Sequence, residues 1–333
     1  MFKKDKNTLL SDNNIISQTY HPFLSIIEID TIRMSKKRYE VTDNQLEYLL
    51  HKFNAYKVNS FLWRGKYKGF ELDINDFTIT IIGSPSNYYV GKANTLPYKQ
   101  FRNAIEKLSK DLEIDLHCAS LYRVDVNWNY ITKKLIESYT HNLFLDLSRF
   151  KRLERGLGVI FKTNSIAIDI YNKTQYLKDK KIINDIENWL RIEFRVLKDV
   201  NKILGIQYVS DLYYPKNYKK LLSKFIKYYQ NIRKQTLLND DISTLKSPKE
   251  YKKLLELAGI TQKGGFSSVY RDIEHMSKMK VFDNPNQKYR LRKELQNLAE
   301  NPLISKPHPL IIELNTQFDI DLDNEIKRLG ILY

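Results

Sequence analysis

The sequence predicts an α+β protein, a mostly antiparallel sheet domain followed by a basic helical domain. Three observations carry this reading. Short β-branched runs with apolar alternation dominate the first two hundred residues. Apolar residues at helical spacing take over beyond about residue 200. Finally, residues 215–238 hold seven Lys and Arg and no acid. The expected divisions are a polar arm over 1–20, a sheet domain over 21–205 and a helical domain over 206–333.

In order, FLSIIEIDTIRM (23–34) reads as a buried strand, and DNQLEYLLHKFNAY as a helix with Leu46, Leu49, Leu50 and Phe53 on one face. YKGFELDI, DFTITIIG and NYYVG read as a meander of short strands, parted at Asn75-Asp76 and Gly83-Ser84-Pro85. A helix through FRNAIEKLSKDL starts at Pro97, LYRVDVNWNY (121–130) is a strand, and ITKKLIESYTHNLF reads as a helix. GVIFKT, SIAIDIYN and WLRIEFRVLK (189–198) are strands. Residues 215–238 form an amphipathic helix, SPKEYKKLLELAG opens with Ser247 as cap and Pro248 at the first turn, and two further helices follow.

The chain has 333 residues, 42% of them apolar, enough for real cores. Its 55 Lys and Arg against 39 acids give a formal charge of +16, which calls for a polyanionic partner, nucleic acid or an anionic membrane surface. An AT-rich coding sequence also supplies lysine, so composition alone does not choose. Cys118 is the single cysteine, which excludes a disulfide framework and a cysteine zinc site and suits a reducing cytoplasm. No stretch reaches the roughly 20 apolar residues of a membrane span. GxxxxGK[ST], GxGxxG and GxSxG are absent, and the six histidines show no metal-ligand spacing.

Acids inside strands carry more information. Alternation puts Arg123, Asp125 and Asn127 on one face of their strand, Asp169 with Tyr171 on another, and Arg191, Glu193 and Arg195 on a third. Periodicity leaves two readings open. The charges either lie solvated on a half-exposed sheet or converge on one site.

YRVDVNWN (122–129), IAIDIYNKTQYLKD (166–179) and WLRIEFRVLKDV (189–200) together resemble rolling-circle replication initiators. The similarity is to the gene II/gene X replication proteins of filamentous phages and to the Rep proteins of small staphylococcal rolling-circle plasmids. With the phage group it extends weakly over roughly residues 20 to 300, through the meander 60–94 and the segment LELAGITQKGGFSSVYRDIEHM. The resemblance implies a nicking and joining domain over 21–205 in which a tyrosine hydroxyl attacks an origin phosphodiester. A 5′-phosphotyrosine and a free 3′-hydroxyl result, and the displaced strand is later rejoined.

On that resemblance Tyr171 is the nucleophile, with Tyr176 as the alternative. Asp125 and Glu193 are metal positions for Mg²⁺ or Mn²⁺, and the third ligand is Asp169 or water. The plasmid pattern has an acid where Arg195 stands here, and a later acid where Asn129 stands. Lys173, Arg191 and Arg123 would add to the stabilisation of the phosphoryl charge or hold the carboxylates. Lys216, Lys219, Lys220, Lys224, Lys227 and Arg233 would grip DNA phosphates, with Lys151 and Arg152 of KRLER as a second cluster. The implied partners are double- and single-stranded origin DNA, with a host helicase and a second copy of the chain as candidates.

Two rivals remain. One is a non-catalytic origin- or operator-binding protein. The other is a peripheral membrane protein using Phe225 and Tyr229 on the 215–238 helix.

Overall fold

Alternation along the strands decides how the sheet faces. The computed structural model describes residues 27–91, 94–140, 143–182, 188–239 and 241–330. The expected arm over 1–20 lies outside the described residues. The strands are β1 (Ile27–Lys37), β2 (Tyr56–Asn59), β3 (Leu62–Tyr67), β4 (Phe70–Ile74), β5 (Thr78–Gly83), β6 (Ser120–Ile131), β7 (Phe144–Asp146), β8 (Lys151–Arg155), β9 (Gly158–Lys162), β10 (Ile166–Asn172), β11 (Trp189–Val196), β12 (Arg233–Lys234), β13 (Thr236–Leu238) and β14 (Ser305–Pro307). The helices are α1 (Asp43–Lys52), α2 (Pro85–Tyr89), α3 (Tyr98–Leu112), α4 (Glu137–Thr140), α5 (Lys173–Asp179), α6 (Val200–Leu204), α7 (Pro215–Asn231), α8 (Pro248–Gln262), α9 (Gly265–Lys278), α10 (Pro285–Ala299) and α11 (Pro309–Arg328).

Ten strands form one antiparallel sheet in the order β2-β3-β4-β5-β1-β6-β11-β10-β9-β8. Two meanders therefore flank a central β1–β6 pair. The protein is α+β, as its alternating runs predict.

One face of the sheet is apolar. Val124, Val126 and Trp128 of β6, Ile192 and Phe194 of β11, and Ile168 and Ile170 of β10 are all buried there. Helices α7 and α11 close over it. Phe194 stacks on Phe225 at 6.1 Å, Trp128 meets Phe318 edge-on at 5.0 Å, and Tyr98 of α3 stacks on Tyr218 at 4.1 Å. Such ring pairs add about 0.5–1.5 kcal/mol each beyond their area. Phe225 and Tyr229, the residues the membrane reading needed exposed, are in this core. Among the described residues no helix is long and apolar enough to cross a membrane.

The division expected at residue 205/206 is not where the packing divides. Helices α7 and α11 belong to the sheet's core, whereas Leu254, Leu257, Phe266, Tyr270, Ile273 and Leu298 of α8–α10 build a second core with Leu145 and Ile304. Three local expectations also change. NYYVG is not a strand: Ser84 caps α2 by accepting from Asn87 N at 3.1 Å, with Pro85 in the first turn. Among its described residues ITKKLIESYTHNLF yields only the short α4, because Ile131 completes β6 and Thr132 N donates to Asn188 O. The helix expected over 215–238 stops at Asn231, and Arg233 and Lys234 pair with β7 as a short strand.

Candidate active site on the polar face of the sheet

The face opposite α7 carries the charges. Cross-strand register sets Asp169 beside Glu193, Tyr171 beside Arg191, Arg191 beside Asn129, and Arg195 beside Asp125. β1 contributes through a bulge. Ile29 pairs with Val126 and Ile32 with Val124, so one extra residue fits between two core isoleucines. Asp30 and Thr31 thereby both line a cavity of about 580 Å³. Tyr171, Lys173, Arg191, Glu193, Asp169 and Arg195 line it too.

Tyr171 is fixed at a strand-to-helix corner. Its Cα pairs with Arg191 on one side and with Gly158 on the other. A Cβ on Gly158 would lie 1.9 Å from Ile170 O, so only glycine lets β9 approach here. Asn172 then caps α5, its side chain accepting from Gln175 N at 2.9 Å. The corner aims Tyr171, Lys173 and Tyr176 into one space. The two tyrosine rings stand edge-to-face at 6.0 Å, and Lys173 Nζ lies 4.9 Å from the Tyr176 ring centre. Tyr171 is half-buried, whereas Tyr176 is 38% exposed.

Arg191 is the hub of the cavity wall. Its Nε donates to Asn129 Oδ1 at 2.7 Å, and its other nitrogens meet Asp30 at 3.3 Å and Glu28 at 3.6 Å. Ser84 Oγ steadies Asp30 at 2.8 Å, while Ser86 Oγ and Leu96 N bond Glu28 at 2.9 and 2.7 Å. Burial raises the Tyr171 hydroxyl above its ordinary value, and Arg191 is the main charge opposing that rise. Burial, followed by the Arg191 charge, lowers Lys173 to about 8.

The three carboxylates expected to hold Mg²⁺ or Mn²⁺ are each matched with a guanidinium. Arg123 clasps Asp125 through both Nε and Nη2, and Asp125 is fully buried and does not line the cavity. Arg195 Nη2 lies between Glu193 at 2.5 Å and Asp169 at 3.0 Å, and Arg155 adds a contact to Asp169 at 3.3 Å. Among the described residues no three His, Cys, Asp or Glu side chains stand where they could share an ion. The residues as placed do not fit a divalent metal. The seat between Asp169 and Glu193 already holds a cation, Arg195.

The expected DNA-binding residues lie elsewhere. Lys216, Lys220 and Lys227 are exposed on the outer side of α7, and Lys219 and Lys224 are half-buried beside them. Because α7 covers the apolar face, this row and the cavity are on opposite sides of the sheet. Arg233 is tied to Asp146 at 3.3 Å, which removes it from that row. Lys151 is exposed on the edge strand β8, and Arg152 bonds Phe144 O and Glu154. Sequence reasoning missed Glu28, Asp30 and Arg155. Alternation within Ile27-Glu28-Ile29-Asp30 was the available signal for the first two.

No protein-family model matches the chain, and no curated protein matches its sequence. Among solved structures it is similar to the rolling circle replication initiator protein from Geobacillus stearothermophilus, with a TM-score of 0.39 and 13% sequence identity, covering 65% of this chain and 89% of that one.

Proposed function

We propose that this protein is a replication initiator that nicks and rejoins one strand of origin DNA in a phage or plasmid, using Tyr171 as nucleophile. The observation that carries the reading is the convergence of Tyr171, Lys173 and Arg191 on one cavity, at a corner formed by two of the three strands with initiator-like sequence. Arg191 and Arg195 present fixed cations to a phosphate entering there, which is the preorganised stabilisation a pentacovalent phosphorus needs.

In the nicking step Tyr171 Oη bonds to phosphorus and the bond from phosphorus to O3′ breaks. The products are a 5′-phosphotyrosine and a 3′-hydroxyl. Lys173, which burial lowers to about 8, accepts the phenolic proton. That proton then serves the departing O3′. Joining is the reverse path, with an incoming 3′-hydroxyl displacing Tyr171. No step passes through a metal ion.

The test is covalent capture on a single-stranded origin oligonucleotide. Wild-type protein should form a denaturation-resistant adduct, and Tyr171→Phe should form none while still binding DNA. An undiminished adduct in Tyr171→Phe overturns the assignment and shifts it to Tyr176. A non-catalytic DNA-binding protein is the second reading, favoured by the acid-free lysine row on α7, remote from the cavity. Complete absence of adduct in the wild type with DNA binding intact would establish it.

A further inference from the structure

Tyrosines and lysines of α1, the β3–β4 turn, α2 and α3 alternate in one row. Lys52 of α1 donates to Tyr48 Oη at 2.9 Å and lies 5.2 Å from the Tyr67 ring centre. Lys68, in the β3–β4 turn, lies over Tyr67 at 5.1 Å and Tyr88 at 5.8 Å. Lys107 of α3 continues the row, 5.5 Å from both Tyr88 and Tyr89. Asp111 sits behind these rings, bonded by the hydroxyls of Tyr67 at 3.2 Å and Tyr88 at 2.6 Å. It offsets one of the three cations, leaving a surplus of positive charge on an aromatic surface.

The row is joined to the cavity by α2. Its cap Ser84 bonds Asp30 of the cavity wall, Asn87 lines the cavity, and Tyr88 and Tyr89 follow directly. Five helical residues span only about 7–8 Å, so a polymer leaving the cavity past Asn87 meets Tyr88 and Tyr89 within a nucleotide or two.

We propose that this row is a track for single-stranded nucleic acid entering or leaving the cavity, which rests on reading the cavity as a phosphodiester site. Two features favour a single strand over a duplex. Unpaired bases can stack on tyrosine faces, worth about 1–3 kcal/mol per base, whereas an exposed lysine over a ring is worth about 0.5–1 kcal/mol. Bases therefore displace the lysines from the rings, and the freed ammonium groups meet the phosphates. A duplex keeps its bases paired and could use only the cations.

The test uses the full chain carrying Lys68→Ala and Lys107→Ala. Both lysines are exposed; Lys68→Ala removes a 3.6 Å ion pair with Asp111, which Tyr67 and Tyr88 still bond. Binding is read by fluorescence anisotropy with oligothymidylates of about four and about twelve nucleotides, and with a duplex of the longer length. The longer strand should bind several-fold more weakly than to wild type. Its log–log salt slope should shrink by about 1.4, the single-strand value for two lost phosphate contacts. The short strand and the duplex should bind as before. Unchanged affinity and slope for the longer strand overturn the proposal, as does an equal loss for the short strand or the duplex. Adduct formation at Tyr171 is a separate readout: the predicted binding pattern without any adduct would sink the nicking reading and leave the track standing.

Discussion

Replacing Lys173 with methionine should make the protein more stable while abolishing nicking. Lys173 is 8% exposed and held at about 8, against 10.5 in water, by burial first and by Arg191 second. At about 1.4 kcal/mol per unit, keeping the ammonium charged in the folded protein costs ~3 kcal/mol relative to the unfolded chain. Methionine retains most of the stem volume and removes the charge, so a gain of about 1–3 kcal/mol is expected at pH 7. The folded value lies below the unfolded one, so between about 8 and 10.5 the unfolded chain binds more protons. Wild-type stability therefore climbs with pH across that window, and the variant lacks this climb. Urea unfolding near pH 7 and near pH 10 should show the variant's advantage shrinking as pH rises. A variant less stable than wild type at pH 7, or an advantage independent of pH, would refute this account of the site. Lys173→Arg keeps the charge but cannot give up its proton, and it should bind origin DNA while failing to form the adduct.

Arg195→Ala removes the guanidinium between Asp169 and Glu193 and leaves two adjacent carboxylates. Mn²⁺ should then raise the melting temperature of the variant more than that of wild type, and an equal response would show that the seat was open already. Gly158→Ala forces a methyl group against Ile170 O and the Tyr171 Cα, separating β9 from β10. It should cost ~3 kcal/mol or more in thermal unfolding and reduce adduct yield, and a loss under about 1 kcal/mol would show that the contact relaxes.

The strands that build the cavity were legible because period-two alternation is local. Arg191-Ile192-Glu193-Phe194 declares both faces without reference to any neighbour. What the faces meet is not local. Asp125 and Glu193 looked equivalent along their strands, yet Asp125 ended beneath Arg123 and only Glu193 reached the cavity. The bulge that exposes both Asp30 and Thr31 depends on how β1 pairs with β6, which neither run reveals alone. α11 was missed for a different reason. Its buried side carries Glu313 and Asp321, which accept from Tyr130, Tyr139 and Trp128, so acids interrupt the apolar stripe that would have marked it. The lysines of α7 mask the apolar stripe of Leu221, Leu222 and Phe225, whose burial ties that helix to the sheet.

The charge of +16 takes on a different meaning once located. On the polar face the cations Arg123, Arg155, Arg191, Arg195 and Lys173 stand among the acids Glu28, Asp30, Asp125, Asp169 and Glu193. That face is close to neutral. Its arginines are already held by carboxylates, which makes it poor at attracting DNA from a distance and well suited to fixed contact with one phosphate. Part of the surplus lies outside, on α7 and on the row from Lys52 to Lys107. Long-range attraction falls with salt, whereas contacts inside a water-poor cavity are screened far less. The fold thus separates gathering the nucleic acid from acting on it, and a neutral cavity on a strongly basic chain follows from that separation.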